Sequence, residues 1–460
     1  MVTPLAYIES QHEAILQKLI EFVSIPSVST DPAYASGMRQ AAEWVLAQLQ
    51  AASIDSRIIQ TQGHPVVYGE WLGAPDAPTI LVYGHYDVQP PDPLEKWETP
   101  PFEPTIRESR LYGRGVSDDK GPMVIPLMIA QAFMKTEGAL PINVRFLFEG
   151  EEEVGSPSLE PLMIAQPDLF QADFVLSADG AMWRIDEPSL TVASRGMVGL
   201  EFRLQGAAKD LHSGRHGGAV ANPLHAMAQL IHSLHHDDGR IAVEDFYDHV
   251  RPLADDEREA LRALPYDAET YLRSIGAPAQ VGEPGYSILE QQWTRPTLEV
   301  NGLWGGYQGV GSKSVIPSEA FAKITCRLVP DQNPDDILEK VTRHLERHCP
   351  PGVTMNISAD KHGAPPYAIP VDHMGLKVAQ KALREVYQKD PLVVRMGGTL
   401  PIAGSFKRLF DMDMVFFSFS TADEDFHAPN EFFRIQRLFD GLRTWMIYWG
   451  ALRDFAESQS

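Results

Sequence analysis

The spacing of apolar and polar positions along the chain predicts an α/β protein. Apolar residues at helical spacing predict amphipathic helices over residues 7–23 and 38–49. Short continuous apolar runs at 79–83 and 142–148 predict strands that are buried on both faces. A long apolar helix at 123–134 separates these two runs, as expected for a parallel sheet covered by helices.

The middle of the chain has a different pattern, which predicts an inserted α+β domain. Strands are predicted at 190–194, 199–204, 321–328 and 353–358, with helices at 223–235 and 335–348. Two βαβ-like halves of this kind are typical of a ferredoxin-like domain. The α/β pattern returns with predicted helices at 374–387, 402–410 and 432–455. We therefore predict a discontinuous first domain, 1–189 and 361–460, around an insert at 190–360. The polar segment 237–296 is interpreted as an elaboration of that insert.

Composition restricts the partners and the compartment. With 62 acidic and 39 basic residues the formal charge is -23, which argues against nucleic acid or an anionic membrane as partner. Cys326 and Cys349 are too few for a disulfide scaffold or a Cys-rich zinc site. The N-terminal residues lack a signal-peptide apolar region, and no run of about 18 apolar residues could span a bilayer. The expected location is the cytoplasm.

Acidic residues and a histidine follow the predicted strands. His85 and Asp87 follow the first apolar run, and Glu149, with the run Glu151–Glu152–Glu153, follows the second. Asp118 and Asp119 precede the long helix, and Asp179 follows a further predicted strand. A solvated acidic turn, a helix cap or a structural His-Asp pair could each explain one of these features. Crowded carboxylates repel one another unless cations lie among them, and the repeated pattern predicts a two-cation site.

The motifs that define three other classes of site are absent or incomplete in this sequence. Gly113-Arg114-Gly115 is followed by aspartate where the dinucleotide-binding fingerprint requires a third glycine. The glycine-rich stretch 305–314 lacks the Gly-Lys-Ser order of a phosphate-binding loop. No Gly-x-Ser-x-Gly sequence is present, which argues against a serine hydrolase.

Four sequence blocks carry a resemblance to a known family. They are Gly84-His85-Tyr86-Asp87-Val88-Gln89-Pro90, Gly113-Arg114-Gly115-Val116-Ser117-Asp118-Asp119-Lys120-Gly121, Glu151-Glu152-Glu153-Val154-Gly155-Ser156 and Phe426-His427-Ala428-Pro429-Asn430-Glu431. In this order they resemble the M20 family of metallopeptidases, and within it the cytosolic nonspecific dipeptidase and carnosinase branch. The resemblance covers essentially the whole chain. It implies a zinc-peptidase-like catalytic domain with an inserted lid that carries a homodimer interface.

The resemblance also implies roles for the residues of the predicted metal site. Asp118 would bridge two divalent ions, with His85 and Asp179 completing one site and Glu153 and His427 the other. Glu152 would be the general base, Asp87 would orient His85, and a cis peptide would join Asp118 to Asp119. The metal would be zinc, with manganese or cobalt as alternatives, because nitrogen and oxygen ligands suit all three.

Residues elsewhere in the chain are implied to contact substrate. His212 would stabilise the oxyanion in the partner subunit's active site, and Arg327 would bind the substrate carboxylate. Gly397, Gly398 and Thr399 resemble a turn that receives the same carboxylate, and Ser314 ends a loop expected to face substrate.

These expectations combine into one predicted function. A metal-bridging water, with Glu152 as base, would hydrolyse the peptide bond of dipeptides or short peptides that have a free C-terminal carboxylate. Two alternatives stay open: an N-acyl amino acid deacylase or carboxypeptidase of the same family, and a noncatalytic metal-binding protein on the same fold.

Overall fold

In a computed structural model the chain is described over residues 2–359 and 363–459, and it divides into two compact units. The first unit comprises the chain up to Val192, then Ile369–Val394 and the chain from Ser405 onward. The second comprises Ala193–Ala368 and Arg395–Gly404. The predicted boundary at Asp360 lies outside the described residues, so the domain boundaries given above stay predictions.

A six-stranded mixed sheet forms the centre of the first unit. In spatial order its strands are Asp55–Ile59, Val66–Trp71, Asn143–Glu149, Thr79–His85, Phe174–Ser177 and Met414–Phe416. The last four are parallel to one another, and the first two are antiparallel to their neighbours. Residues from Ile80 to His85 are buried, as predicted for a parallel strand that is covered on both faces.

Helices and a small antiparallel sheet also belong to the first unit. The helices of the first unit are Pro4–Ser10, His12–Val23, Ala35–Ala51, Gly121–Thr136, Leu159–Ala165, Met374–Tyr387 and Ile435–Gln459. A further helix, Pro401–Phe410, begins in the second unit and ends in the first. The small sheet consists of Thr105–Arg107, Arg110–Tyr112 and Phe432–Arg434. Within the described ranges, no helix is both long and apolar enough to cross a membrane.

The second unit is built on a four-stranded antiparallel sheet. Its strands in spatial order are Thr297–Gly305, Glu319–Leu328, Gly196–Gln205 and Thr354–Ala359. The helices Pro223–Ser233 and Pro334–His348 pack against it, which gives the βαββαβ order of a ferredoxin-like fold and confirms the predicted fold class. The segment 237–296 forms three short helices, Asp255–Arg262, Ala268–Ser274 and Ile288–Thr294.

Four elements differ from the sequence prediction. The strand predicted at 190–194 is Ser189–Ser194, and it belongs to a separate three-stranded sheet and not to the four-stranded sheet of the second unit. The predicted helix at 7–23 is two helices, because Gln11 has nonhelical dihedral angles and interrupts it. The predicted start of the last helix at Phe432 is wrong: Phe432–Arg434 is a strand paired with Arg110–Tyr112, and its two aromatic side chains are buried. The strand Thr297–Gly305 was not predicted. It is an edge strand with a bulge after Val300, and only Leu298 among its residues is buried, so its apolar alternation is weak.

Candidate metal centre and substrate subsites

The parallel strands of the first unit bring the predicted metal ligands to one edge of the sheet. His85 is the last residue of its strand, and it pairs with Glu149, the last residue of the neighbouring strand. Asp179 follows the strand Phe174–Ser177, which lies on the other side of the His85 strand. Because parallel strands end at the same edge, the loops after them converge there.

Asp118 lies in the turn Val116–Lys120 that precedes the helix Gly121–Thr136, and this turn is held by a buried carboxylate. The backbone N–H groups of Gly115, Ser117 and Asp118 donate to the side chain of Glu431 at 2.8, 3.0 and 3.2 Å. Arg114 also donates to Glu431, at 2.7 Å, and both side chains are buried. The peptide bond between Asp118 and Asp119 is cis, as the resemblance implied.

The side chains of His85, Asp118 and Asp179 form one group of potential ligands. One ligand atom from each lies within 4.8 Å of the others. The Nε2 atom of His85 is 3.0 Å from Oδ1 of Asp118. The opposite ring nitrogen, Nδ1, lies 3.1 Å from the carbonyl oxygen of Asp87 and 3.4 Å from its carboxylate. The imidazole is therefore oriented with Nε2 facing the Asp118 carboxylate.

A second group shares Asp118 and adds Glu153 and His427. Nε2 of His427 lies 2.9 Å from Oδ2 of Asp118 and 3.3 Å from Oε2 of Glu153. Each oxygen of the Asp118 carboxylate thus faces a different histidine, which is the arrangement expected of a bridging ligand. The amide of Gln89 donates to the same oxygen of Glu153 at 2.7 Å.

The side chain of Asp87 contacts a residue of each ligand group, because it lies beside His85 and binds the backbone N–H of Glu153. Its two carboxylate oxygens accept the N–H groups of Glu152 and Glu153, each at 3.2 Å. Asp87 is fully buried, so these bonds and its contact with His85 satisfy a carboxylate that would otherwise be unstable there. The arrangement fixes the loop that carries Glu152 relative to His85.

The crowding of charged groups shifts their pKa values strongly. Burial and the carboxylates of Asp118 and Glu153 raise the pKa of Asp179 to about 6, although His85 opposes this. Burial together with Asp179, Asp118 and Glu153 raises the pKa of Glu152 well above its ordinary value. Hydrogen bonds to Asp118 and Glu153 raise the pKa of His427 to about 10. Protons compensate part of the negative charge here, and cations bound to the same nitrogen and oxygen donors would do so too.

Only part of the acidic run takes part in this cluster. The two oxygens of Glu151 accept the N–H groups of His64 and Ser158, so this residue is a buried anchor for two loops. Glu149 accepts from the hydroxyls of Tyr83 and Ser156 at 2.7 and 2.8 Å. These two glutamates therefore have structural roles, but as buried hydrogen-bonded groups and not as the solvated acidic turn considered from the sequence.

Several residues near the cluster had no role assigned from the sequence. They are Gln89, Arg114, Asp119 and Glu431. Asp119 is fully buried, accepts the N–H of His85 at 3.3 Å, and its Oδ1 has no hydrogen-bond partner in the described part of the chain. Gln89 lies in the same sequence block as His85, and Glu431 lies in the same block as His427. This nearness in sequence is the signal by which they could have been recognised as residues of the site.

His212 and Ser314 lie together within the second unit. His212 pairs with Val315 in a two-stranded ribbon, and the N–H of Ser213 donates to the carbonyl of Ser314 at 3.1 Å. The Nδ1 atom of His212 accepts the N–H of Gly214 at 3.0 Å. His212 and Ser314 are both exposed. The imidazole therefore has a fixed orientation on an open surface.

Arg327 and the turn Gly397–Gly398–Thr399 also lie together in the second unit. Arg327 donates from Nη1 to the hydroxyl of Thr399 at 2.8 Å. The carbonyls of Gly397 and Gly398 accept hydrogen bonds from Arg195, at 2.9 and 3.0 Å. The structure thus brings together the residues that were expected to receive a carboxylate.

Comparison with known proteins defines the class as that of a metallopeptidase. Residues 81–449 match the sequence profile of peptidase family M20/M25/M40, and the chain belongs to this family. It is 31% identical over 445 residues to the Beta-Ala-His dipeptidase of Homo sapiens, which covers 92% of this chain and 87% of the human protein. This assignment agrees with the resemblance seen in the four sequence blocks.

Solved structures of related enzymes have the same fold over nearly the whole chain. The dipeptidase Dug1p from Saccharomyces cerevisiae superposes with a TM-score of 0.79 at 28% identity, covering 98% of each chain. The metallo-carboxypeptidase Sso-CP2 from Sulfolobus solfataricus superposes with a TM-score of 0.83 at 32% identity, covering 96% of this chain and 99% of the other. Both a dipeptidase and a carboxypeptidase are therefore similar to this chain.

Proposed function

We propose that the protein hydrolyses the peptide bond of dipeptides or short peptides with a free C-terminal carboxylate, using two bound divalent ions. The observation that carries this proposal is the pair of ligand groups that share Asp118, with a different histidine facing each of its oxygens. The similarity to dipeptidases over more than nine-tenths of the chain supports the substrate class.

The proposed ligands fit divalent ions because all of them are imidazole nitrogens or carboxylate oxygens. His85, Asp118 and Asp179 would hold one ion, and Asp118, Glu153 and His427 the other. A pair of ions there would polarise the scissile carbonyl and make water a stronger nucleophile. Zinc is the proposed metal, with manganese and cobalt as alternatives that the same donor set accepts.

Glu152 is the proposed general base. It lies on the loop fixed by Asp87 and is outside both ligand groups. Its carboxylate takes a proton from the attacking water as the water oxygen bonds to the carbonyl carbon. It then delivers that proton to the amine as the carbon–nitrogen bond breaks. The raised pKa of Glu152, caused by burial and neighbouring carboxylates, suits a group that must accept and release a proton.

The second unit supplies the proposed contacts to the remainder of the substrate. Arg327 and Thr399 receive the terminal carboxylate, with the backbone of Gly397 and Gly398 completing the turn. His212 donates to the oxyanion in the active site of a partner subunit, and Ser314 adjoins it. These assignments, the homodimer and a cytoplasmic location are supported by the family resemblance.

A carboxypeptidase is the second candidate function. The similarity to the Sulfolobus metallo-carboxypeptidase favours it, because that enzyme superposes with the higher TM-score of the two structures described. A carboxypeptidase would use the same metal ligands and the same carboxylate subsite, and would differ in accepting longer chains. An N-acyl amino acid deacylase would instead require no free amine on the substrate.

A substrate panel separates these functions. Purified protein is supplied with zinc or manganese and incubated with dipeptides, pentapeptides and N-acyl amino acids, and the released amines are quantified. The proposal expects the dipeptides to have the highest kcat/KM. Faster cleavage of pentapeptides would assign a carboxypeptidase, and faster cleavage of acylated substrates a deacylase. No hydrolysis by metal-loaded protein would overturn the proposed function.

A further inference from the structure

Arg195 immediately precedes the strand Gly196–Gln205 of the second unit, and it lies beside Arg327. The register pairs Arg327 with Met197, two residues beyond Arg195. Like Arg327, Arg195 is partly buried. No role follows for Arg195 from the sequence blocks described above, although its side chain lies among the residues proposed to bind a carboxylate.

Three hydrogen bonds connect Arg195 to the turn that carries Thr399. Its backbone N–H donates to the carbonyls of Met396 and Gly398 at 3.3 and 3.0 Å. Its side-chain Nε donates to the carbonyl of Gly397 at 2.9 Å. A Cβ added at Gly397 would lie 3.3 Å from Nη2 of Arg195, so the guanidinium packs closely against the turn. Arg195 therefore fixes three successive peptide groups just before Thr399.

The two guanidinium groups form a concentration of positive charge. Burial and the neighbouring charge of Arg327 lower the pKa of Arg195 to about 10, and Glu299 opposes this only in part. Within the described residues, no carboxylate forms an ion pair with Arg195 or with Arg327. Two partly buried like charges repel each other, and an anion bound between them would relieve the repulsion.

Both arginines line a cavity of about 470 Å³ within the second unit. Its volume lies in the range typical of small-molecule sites. The cavity is also lined by Tyr247, Glu283 and Arg295, which come from the segment 237–296. Glu283 is already neutralised there, because it pairs with Arg295 at 2.7 Å and accepts from Tyr247 at 2.9 Å. Glu299 also lines the cavity and offsets part of the charge of Arg195 and Arg327, so that a net positive charge remains.

We propose that Arg195 is a positioning residue of the carboxylate subsite: it holds the turn 397–399 so that Thr399 and Arg327 meet the substrate carboxylate, and its charge adds to the requirement for an anion. This inference deepens the proposed function and rests on it. It predicts that Arg195 determines how strongly the protein prefers a free C-terminal carboxylate over a neutral amide.

Steady-state kinetics of Arg195→Met and Arg195→Lys test the proposal. For a free dipeptide, Arg195→Met should raise KM about tenfold or more and change kcat by less than about threefold. For the same dipeptide with a C-terminal amide, KM should stay within about twofold of the wild-type value, because no carboxylate is present. Arg195→Lys should be intermediate, since lysine keeps the charge but not the fork of donors.

A matched control separates positioning from general loss of structure. Arg203 lies near the far end of the strand that follows Arg195, and it pairs with Glu319, so Arg203→Met should leave both KM values unchanged. A second control removes the group through which Arg195 acts. In a Thr399→Val variant, the further change Arg195→Met should raise KM for the free dipeptide by less than about half of the increase that it causes in the wild type. Equal losses for the free and amidated substrates, or full additivity, would overturn the proposal.

Binding measurements distinguish failure of this inference from failure of the proposed function. Calorimetry with a free amino acid and with its amide reports on the subsite whether or not the protein hydrolyses dipeptides. The proposal expects the wild type to prefer the free amino acid and Arg195→Met to lose most of that preference. An unchanged preference in Arg195→Met would overturn the role of Arg195, even if the wild type is an active dipeptidase.

Discussion

The imidazole of His427 lies 2.9 Å from the carboxylate of Asp118, although 309 residues separate them in the chain. The same C-terminal segment supplies Glu431, whose carboxylate binds three backbone N–H groups of the turn that contains Asp118. The loop that precedes the strand Phe432–Arg434 therefore supplies one proposed ligand and also holds the turn that carries another.

The first prediction concerns the proposed general base. Glu152→Gln should bind metal as the wild type does but lose about a thousandfold or more in kcat, because the amide cannot accept a proton. Metal content and kcat measured on the same preparation provide the test. Glu160→Gln is the control, since Glu160 pairs with Arg408 on the surface. Near-normal turnover in Glu152→Gln would assign the base to another residue.

The second prediction concerns the buried anchor of the Asp118 turn. Glu431→Gln removes the charge that faces Arg114, so the metal-free protein should lose about 3 kcal/mol of unfolding free energy. Urea denaturation measures this loss. Glu98→Gln breaks a more exposed pair with Arg107 and should cost less than about 1 kcal/mol. If the two variants are equally stable, the buried network does not hold the turn.

The third prediction is a pH dependence of metal binding. Hydrogen bonds to Asp118 and Glu153 raise the pKa of His427 to about 10 in the metal-free site, so the ring is protonated at neutral pH. A metal must displace this proton, and affinity should therefore rise with pH, by about tenfold per unit for each proton released. Competition with a chelator between pH 6 and pH 8 measures the slope.

The control for this dependence is His427→Gln, which cannot release a proton on binding metal. Its affinity should be weaker overall and should change less steeply with pH than that of the wild type. An affinity of the wild type that does not change across this range would contradict ligation by His427.

The fourth prediction tests the trans role of His212. His212→Ala and Glu152→Gln should each be nearly inactive alone, whereas mixed dimers should regain activity. In a mixed dimer one active site has an intact Glu152 together with His212 from the other subunit. Subunits with different affinity tags allow the mixed dimers to be isolated and assayed. Verified mixed dimers without activity would show that His212 does not act across an interface.

Much of the fold could be predicted because its strands are strongly apolar. The run at 79–83 and the run at 142–148 predicted two buried strands; the structure pairs them in parallel and extends them to His85 and Glu149. The edge strand Thr297–Gly305 could not be predicted this way, since an edge strand with a bulge buries few of its residues. Similarly, the buried aromatic residues at Phe432 fit a helix or a strand until their partner Arg110–Tyr112 is known.

The candidate site could be predicted only in part, because residue type alone does not show which partner a side chain contacts. Residue types at strand ends predicted a site for two cations. They could not show that Glu151 anchors two loops whereas Glu153 faces His427. That distinction came from family resemblance. The contacts of Arg195 with the turn 397–399 join positions about 200 residues apart, and neither segment contains a pattern that indicates the other.

The most direct test of the central claim is the number of metal ions bound per chain. The protein is stripped with a chelator, reconstituted with zinc, freed of excess metal and measured by elemental analysis, with dipeptide hydrolysis assayed at each step. We expect about two ions per chain, activity that disappears and returns with the metal, and loss of both ions in Asp118→Asn because this residue is shared. Fewer than about one ion per chain after reconstitution, or two ions in Asp118→Asn, would contradict the shared two-ion site.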